Sequence, residues 1–203
     1  NLLTGNSSSS DAMEQELKLL EKDLLASAET LQRARHQIAK ALESEIKTEL
    51  CDLYMDKADF KVTFTKGKFN RDGNEQVEFY ISTNPGESFK PLVKVASGGE
   101  LSRLMLAIKS AFARKEDKTS IVFDEVDTGV SGRVAQAIAQ KIHKIGSHGQ
   151  VLAISHLPQV IAIADYQFFI SKESDNETTV SRVRLLTPEE RVQEIAKMLA
   201  GDN

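Results

Sequence analysis

Thr119-Ser120-Ile121-Val122-Phe123-Asp124-Glu125 and Val151-Leu152-Ala153-Ile154-Ser155-His156 are two apolar runs, each closing on residues that carry chemistry. Unbroken apolar runs of this length predict strands buried on both faces. Between them Val134, Ile138, Ile142 and Ile145 recur at helical spacing, and Gly146 and Gly149 end that helix. Strand, helix, strand at this spacing is a crossover unit, so the two strands are expected to be parallel. Their carboxyl ends then share one edge of a sheet, where open α/β sheets bind ligands. Asp124, Glu125 and His156 fall on that edge.

Upstream lies Ser97-Gly98-Gly99-Glu100-Leu101-Ser102-Arg103. Ser97 is placed as an N-cap, and Glu100 three residues on completes a capping box. Leu101, Leu104, Met105, Ile108 and Phe112 form one stripe, so an amphipathic helix over 98–115 is expected. Such a box serves many ordinary core helices. With two glycines it also suits an anion: a phosphate can reach the backbone N–H groups and the positive end of the helix dipole.

Working outward, residues 1–10 contain Asn6-Ser7-Ser8-Ser9-Ser10 and read as a flexible linker or cut end. From Asp11 to about Lys57, Met13, Leu17, Leu20, Leu24, Leu31, Ile38, Leu42, Ile46, Leu50 and Leu53 recur at steps of three, four or seven with no Gly or Pro among them. A helix of this length favours a coiled-coil arm, which needs a second strand that this chain does not supply. Phe60, Val62 and Phe64 alternate, as do Val77, Phe79 and Ile81, predicting an antiparallel hairpin. Its loop, from Lys66 to Asn74, reads as loose and basic. Asn84-Pro85-Gly86 is a turn. Beyond the crossover, 166–172 and 178–186 read as a closing hairpin, and Thr187-Pro188-Glu189-Glu190 opens a last helix stopped by Gly201.

Composition bounds the function. The chain has 203 residues, 40% hydrophobic and 6% aromatic, with a formal net charge of −4. That balance argues against a surface coated with nucleic acid, so any DNA contact needs a local basic patch, an added partner or a clamp. One cysteine, Cys51, excludes an internal disulfide framework. No apolar run is long enough to span a bilayer, and the first residues lack the pattern of a signal peptide.

The residue types at the sheet edge fit nucleotide hydrolysis. A strand-end aspartate can hold Mg²⁺, which takes hard oxygen ligands and keeps some water. The next residue points to the other side of the backbone, so Glu125 can polarise a water instead of sharing the metal. A histidine on the neighbouring strand can contact a terminal phosphate, and a glycine-opened helix can bind its developing charge. A phosphate-wrapping Gly-x-x-x-x-Gly-Lys-Ser/Thr is missing from the sequence.

In this order the motifs resemble those of the ABC-type ATPases. Ser97-Gly98-Gly99-Glu100-Leu101-Ser102-Arg103 is similar to the signature, and Ile121-Val122-Phe123-Asp124-Glu125 to the Walker B strand with its catalytic glutamate. Val126-Asp127-Thr128-Gly129-Val130-Ser131-Gly132 resembles the D-loop region, and Ile154-Ser155-His156-Leu157-Pro158 the H-loop. The wording is closest to the SMC-like group of these ATPases and, within it, to bacterial DNA repair members.

The resemblance implies an α/β fold: the C-terminal part of an ABC-type ATPase head carrying a long N-terminal coiled-coil helix. Residues 11–57 would be the arm and 58–203 the C-terminal lobe. It implies ATP and Mg²⁺ as cofactors, with Asp124 serving the metal, Glu125 and His156 catalytic, and Asp127 in the D-loop. Ser97, Gly98, Gly99 and Glu100 would meet the ATP of an opposing head. The implied partners are an N-terminal ATPase segment bearing the Walker A loop, a second head in a homodimer, and double-stranded or broken DNA, in the bacterial cytoplasm at the nucleoid and with no membrane. Two other classes fit parts of the pattern. One is an ABC-type motor of another system, against which the long charged helix counts. The other is a structural coiled-coil docking module that turns over no nucleotide.

The missing phosphate loop normally supplies most triphosphate contacts. The 203-residue chain by itself is therefore expected to bind Mg-ATP more weakly than low micromolar. Calorimetric titration checks this, and low-micromolar affinity would refute it.

Overall fold

The computed structural model describes residues 4–95, 98–113, 120–124, 126–127, 129–174 and 179–201. Helix α1, Thr4–Asp52, is 49 residues long. It begins upstream of Asp11, so described residues 4–10 are helical where a linker was expected. The physical reason is propagation. A helix already nucleated downstream extends through Ser and Asn at modest cost per residue, and the stretch contains no Pro.

The arm stops at Asp52, before the expected Lys57, in a C-terminal cap. Met55 N–H donates to the Leu50 carbonyl at 2.9 Å, and Tyr54 N–H donates to that of Cys51 at 3.0 Å. Tyr54 takes the left-handed φ of 59° that this motif requires. Leu50 and Met55, both buried, close the cap from the apolar side.

Strands β1, Asp59–Asn70, and β2, Gly73–Ser82, form the expected antiparallel hairpin. The loose loop is not found. Lys66 pairs with Glu75 and Asn70 with Gly73, so most of that stretch is strand, with an irregularity between Lys66 and Asn70. The hairpin is held out by α1. Arg35 donates to the Asp72 carbonyl at 2.7 Å, and Gln32 donates to Asn74 at 2.7 Å. The His36 ring stacks on Phe64 at 3.9 Å. A short β3, Lys90–Pro91, completes this three-stranded sheet.

Helix α2, Gly98–Ala113, leads to β4, Ser120–Asp124. Helix α3, Gly132–Gly146, then returns the chain to β5, Gln150–Ile154. The strands β4 and β5 are parallel, with Ser120 opposite Gln150 and Asp124 opposite Ile154. Helix α4, Pro158–Ile163, precedes the antiparallel pair β6, Phe168–Ser174, and β7, Thr179–Leu185. The expected last helix, α5, Pro188–Ala200, opens with a capping box between Thr187 and Glu190 and stops at left-handed Gly201. Thr187 and Arg184 hold the exposed Glu190 carboxyl below its ordinary range through hydrogen bonds, the Thr187 backbone bond being the larger influence. No helix among the described residues is long and apolar enough to cross a membrane.

One core joins these parts. Ile46 and Leu50 of α1, with Leu53 in the cap that follows it, pack with Phe60, Leu104, Ile108, Phe123, Ile138 and Ile142. The expectation that β4 and β5 are buried on both faces fails. Ile121 and Phe123 are buried, but Val122 is 63% exposed and its partner Leu152 is 49% exposed. One face of the pair packs on this chain's core, and no described residue covers the other.

Lys141 sits within that core side of α3, 6% exposed, although its neighbours Ile138, Ile142 and Ile145 are apolar. Its ammonium lies 2.6 Å from Glu49 and 2.6 Å from Asp52, both on α1. Removing one partner of a buried ion pair leaves an uncompensated charge. Lys141→Ala is therefore expected to lower unfolding free energy by about 3 kcal/mol or more. Tyr54→Gly should act oppositely. It relieves a left-handed residue whose ring is largely exposed, and should stabilise by about 0.5–1 kcal/mol. Urea titrations of both variants measure these changes, and equal midpoints to the parent would contradict them.

Candidate nucleotide site

Parallel pairing of β4 and β5 puts Asp124 and Ile154 at one sheet edge, directly opposite each other. The chain leaves β4 through a turn in which Val130 N–H donates to the Asp127 carbonyl at 3.3 Å, and Gly129 supplies the positive φ of 70°. It leaves β5 through Ser155-His156-Leu157 and enters α4 with Pro158 at its first position, where a missing N–H costs nothing.

Asp127 ties the two turns together. Its side chain is completely buried. The Ser155 hydroxyl donates to Asp127 Oδ2, and the His156 N–H donates to the same oxygen at 3.2 Å. Ser155 Oγ in turn accepts from Leu157 N–H at 3.1 Å, which fixes the direction of its proton. His156 Nδ1 lies 3.6 Å from Asp127 Oδ1, and the ring is otherwise 68% exposed. The histidine thus projects from the edge with one nitrogen toward a buried carboxylate and the other toward solvent.

Three of the expected residues, Asp124, Asp127 and His156, therefore meet at one edge of the sheet. Gly98, Gly99 and Glu100 form the first turn of α2. Among the described residues, no atom outside the helix's own first turns comes within 4 Å of where a Cβ on Gly98 would sit, so that turn is open to approach. Ser97 and Glu125 lie outside the described residues. In the sequence Ser155 stands out only within the resemblance to the H-loop. The available signal was a hydroxyl beside the candidate histidine, at the end of an apolar strand.

Asp124 is exposed, and among the described residues no group of three His, Cys, Asp or Glu side chains could cage a metal. That donor set fits Mg²⁺ rather than a structural transition metal. Mg²⁺ is commonly held by one or two carboxylates, with phosphate oxygens and water completing its shell. The edge has no phosphate-wrapping loop of its own.

No family model matches the chain. It is 52% identical over 194 residues to the DNA repair protein RecN of Halalkalibacterium halodurans, an alignment covering 93% of this chain and 34% of that protein. It is 48% identical over 206 residues to RecN of Bacillus subtilis, covering 94% of this chain and 36% of that protein. The chain thus spans about a third of the length of these curated relatives. Its fold is similar to that of the Smc head domain with a coiled coil and joint from Pyrococcus yayanosii. The TM-score is 0.68 at 18% identity, over 94% of this chain and 35% of that one. The architecture is that of part of an SMC head.

Proposed function

Because the chain is, over nearly its whole length, a relative of one segment of the RecN DNA repair proteins, we propose that it is the C-terminal part of the ATPase head of an SMC-like DNA repair protein. In this reading an N-terminal segment of the same protein supplies the Walker A loop. ATP then gates the engagement of two such heads in a homodimer, and the dimer holds double-stranded or broken DNA in the bacterial cytoplasm.

The uncovered sheet face is the observation that carries the proposal. Val122, Leu152 and Ile154 stand exposed at 63%, 49% and 53%, beside the edge that bears Asp124 and His156. A soluble chain seldom leaves a contiguous apolar strand surface bare beside its candidate site, and patches of this kind mark interfaces. The relatives extend well beyond the region matched here, so the occupant is the remaining part of the head. A second uncovered stripe on α1, with Met13, Leu17, Leu20, Leu24 and Ile38 exposed, fits the returning strand of a coiled coil. The similarity to an Smc head with its coiled coil favours this reading over a transporter-type motor.

Within the assembled head, Asp124 would hold Mg²⁺ together with phosphate oxygens, and the ion supplies charge neutralisation of the transferring phosphoryl group. Glu125 serves as the base that polarises the attacking water. His156 donates a hydrogen bond to the terminal phosphate. Ser97, Gly98 and Gly99 present backbone N–H groups to the nucleotide of the opposing head, with Glu100 closing the capping box behind them.

Two outcomes test this. Val122→Asp adds a charge on an exposed strand position, so this chain should keep its stability within about 0.5 kcal/mol. It should nevertheless lose affinity for a co-expressed N-terminal segment by about tenfold or more, because an unpaired carboxylate would be buried on association. Unchanged affinity in a pull-down titration would remove the proposed interface. In the full-length protein, Glu125→Gln should retain ATP binding and lose turnover by about 100-fold or more, since an amide is a very poor base. A variant that hydrolyses ATP at the parent rate would show that Glu125 does not activate the water.

A further inference from the structure

Asp127 has no exposed surface, and its two oxygens are unequally served. Oδ2 takes the Ser155 hydroxyl and the His156 N–H. Oδ1 is just as buried and has no hydrogen-bond partner among the described residues. Leaving a buried carboxylate oxygen undonated is costly, so a donor within reach is strongly favoured to turn toward it. Among the described residues, the nitrogen that stands within ion-pair distance of Asp127 is His156 Nδ1, at 3.6 Å from that oxygen. A shift of well under an ångström brings the two into hydrogen-bonding range.

The electrostatics fix which nitrogen carries the proton. An imidazole with its Nδ1 lone pair facing Oδ1 would set two acceptors against each other. With the proton on Nδ1 the contact is attractive, and the ring plane is set by a carboxylate that Ser155 already holds in place. Nε2 is then the outward nitrogen, on a ring that is 68% exposed. A neutral ring in this tautomer offers only a lone pair at Nε2. An approaching phosphate oxygen is itself an acceptor, so a ring that bonds Oδ1 and a phosphate oxygen at once must carry a proton on both nitrogens.

We propose that Asp127 is the positioning residue for His156, holding Nδ1 protonated and Nε2 outward so that an arriving phosphate meets a cationic double donor. The inference rests on the reading that this edge receives the terminal phosphate of a nucleotide, and it assigns to Asp127 a role beyond that of a loop residue.

The test begins without nucleotide. Long-range proton–nitrogen NMR correlations of the 203-residue chain report which nitrogen of a histidine ring is protonated. The His156 signals are assigned by their loss in His156→Ala among the four histidines. The parent should show a protonated Nδ1. Asp127→Asn is nearly isosteric and places an amide N–H donor where Oδ1 stood. It should therefore move the proton of His156 to Nε2. Ser155→Ala keeps Oδ1 and should leave Nδ1 protonated, which guards against a general loss of structure. A parent ring protonated only at Nε2, or no change of tautomer in Asp127→Asn, overturns the assignment.

The functional arm uses the full-length protein. There Asp127→Asn should lower kcat for ATP by about tenfold and leave KM within about threefold, because the turn and a neutral Nε2–H donor are kept and only the positive charge of the ring is lost. Equal kcat in parent and variant overturns the role in turnover. A parent that hydrolyses no ATP would defeat the nucleotide reading instead, and the tautomer measurement would still decide whether Asp127 sets the ring.

Discussion

Burial of the last third of α1 is the constraint on which the rest of the chain depends. Ile46, Leu50 and Leu53 have no exposed surface, and each contributes roughly 1.5–3 kcal/mol by leaving water. Ile46 and Leu50 sit on a helix whose first half carries an exposed apolar stripe, and Leu53 follows in its C-terminal cap. One continuous helix is therefore both the root of the arm and a wall of the core. Motion at the head end of the arm cannot be separated from the packing of α2 and α3 against it. Lys141 adds direction to this joint, because its ammonium reaches two carboxylates on the final turns of α1.

Helix α3 spans the distance from that joint to the sheet edge. Its N-terminus follows the turn that contains Asp127, and its middle is tied to the arm through Lys141. A rigid helix of 15 residues links the candidate nucleotide edge to the arm root. The hairpin of β1 and β2 braces the arm higher up. Arg35 bonds to the hairpin backbone and His36 stacks on Phe64, so the direction in which the arm leaves the head is set by several contacts along its length.

The sheet is half a layer. In a complete α/β domain both faces of a parallel pair are covered, because the crossover helices and the rest of the chain lie on them. Here α3 covers one face of β4 and β5, while Val122 and Leu152 face outward on the other. The β6 and β7 pair is barer still, with every residue of β7 exposed: Phe168 pairs with Leu185 and Ile170 with Val183, all four exposed. Each pair leaves apolar side chains uncovered within this chain, and the curated relatives are about three times as long.

Much of this was legible in the sequence, because it rests on local periodicity. Apolar spacing located the arm and the crossover helix, unbroken apolar runs located β4 and β5, and Thr187, Glu190 and Gly201 marked the last helix through chemistry confined to a few residues. The crossover rule then brought Asp124 and His156 to one edge. Tertiary structure alone decided the rest. An apolar run looks the same whether its second face is covered by this chain or by another, so the exposure of Val122 and Leu152 could not be read from it. Lys141 interrupts an apolar stripe, which is a visible anomaly, but its partners on α1 are some 90 residues away in sequence, a separation no local pattern encodes. The burial of Asp127 and its bonds to Ser155 and His156 arise only where two separate turns meet. The sequence determined which residues reach the edge. The fold decided which of them lose water, and a carboxylate that has lost water must take its donors from whatever the fold sets beside it.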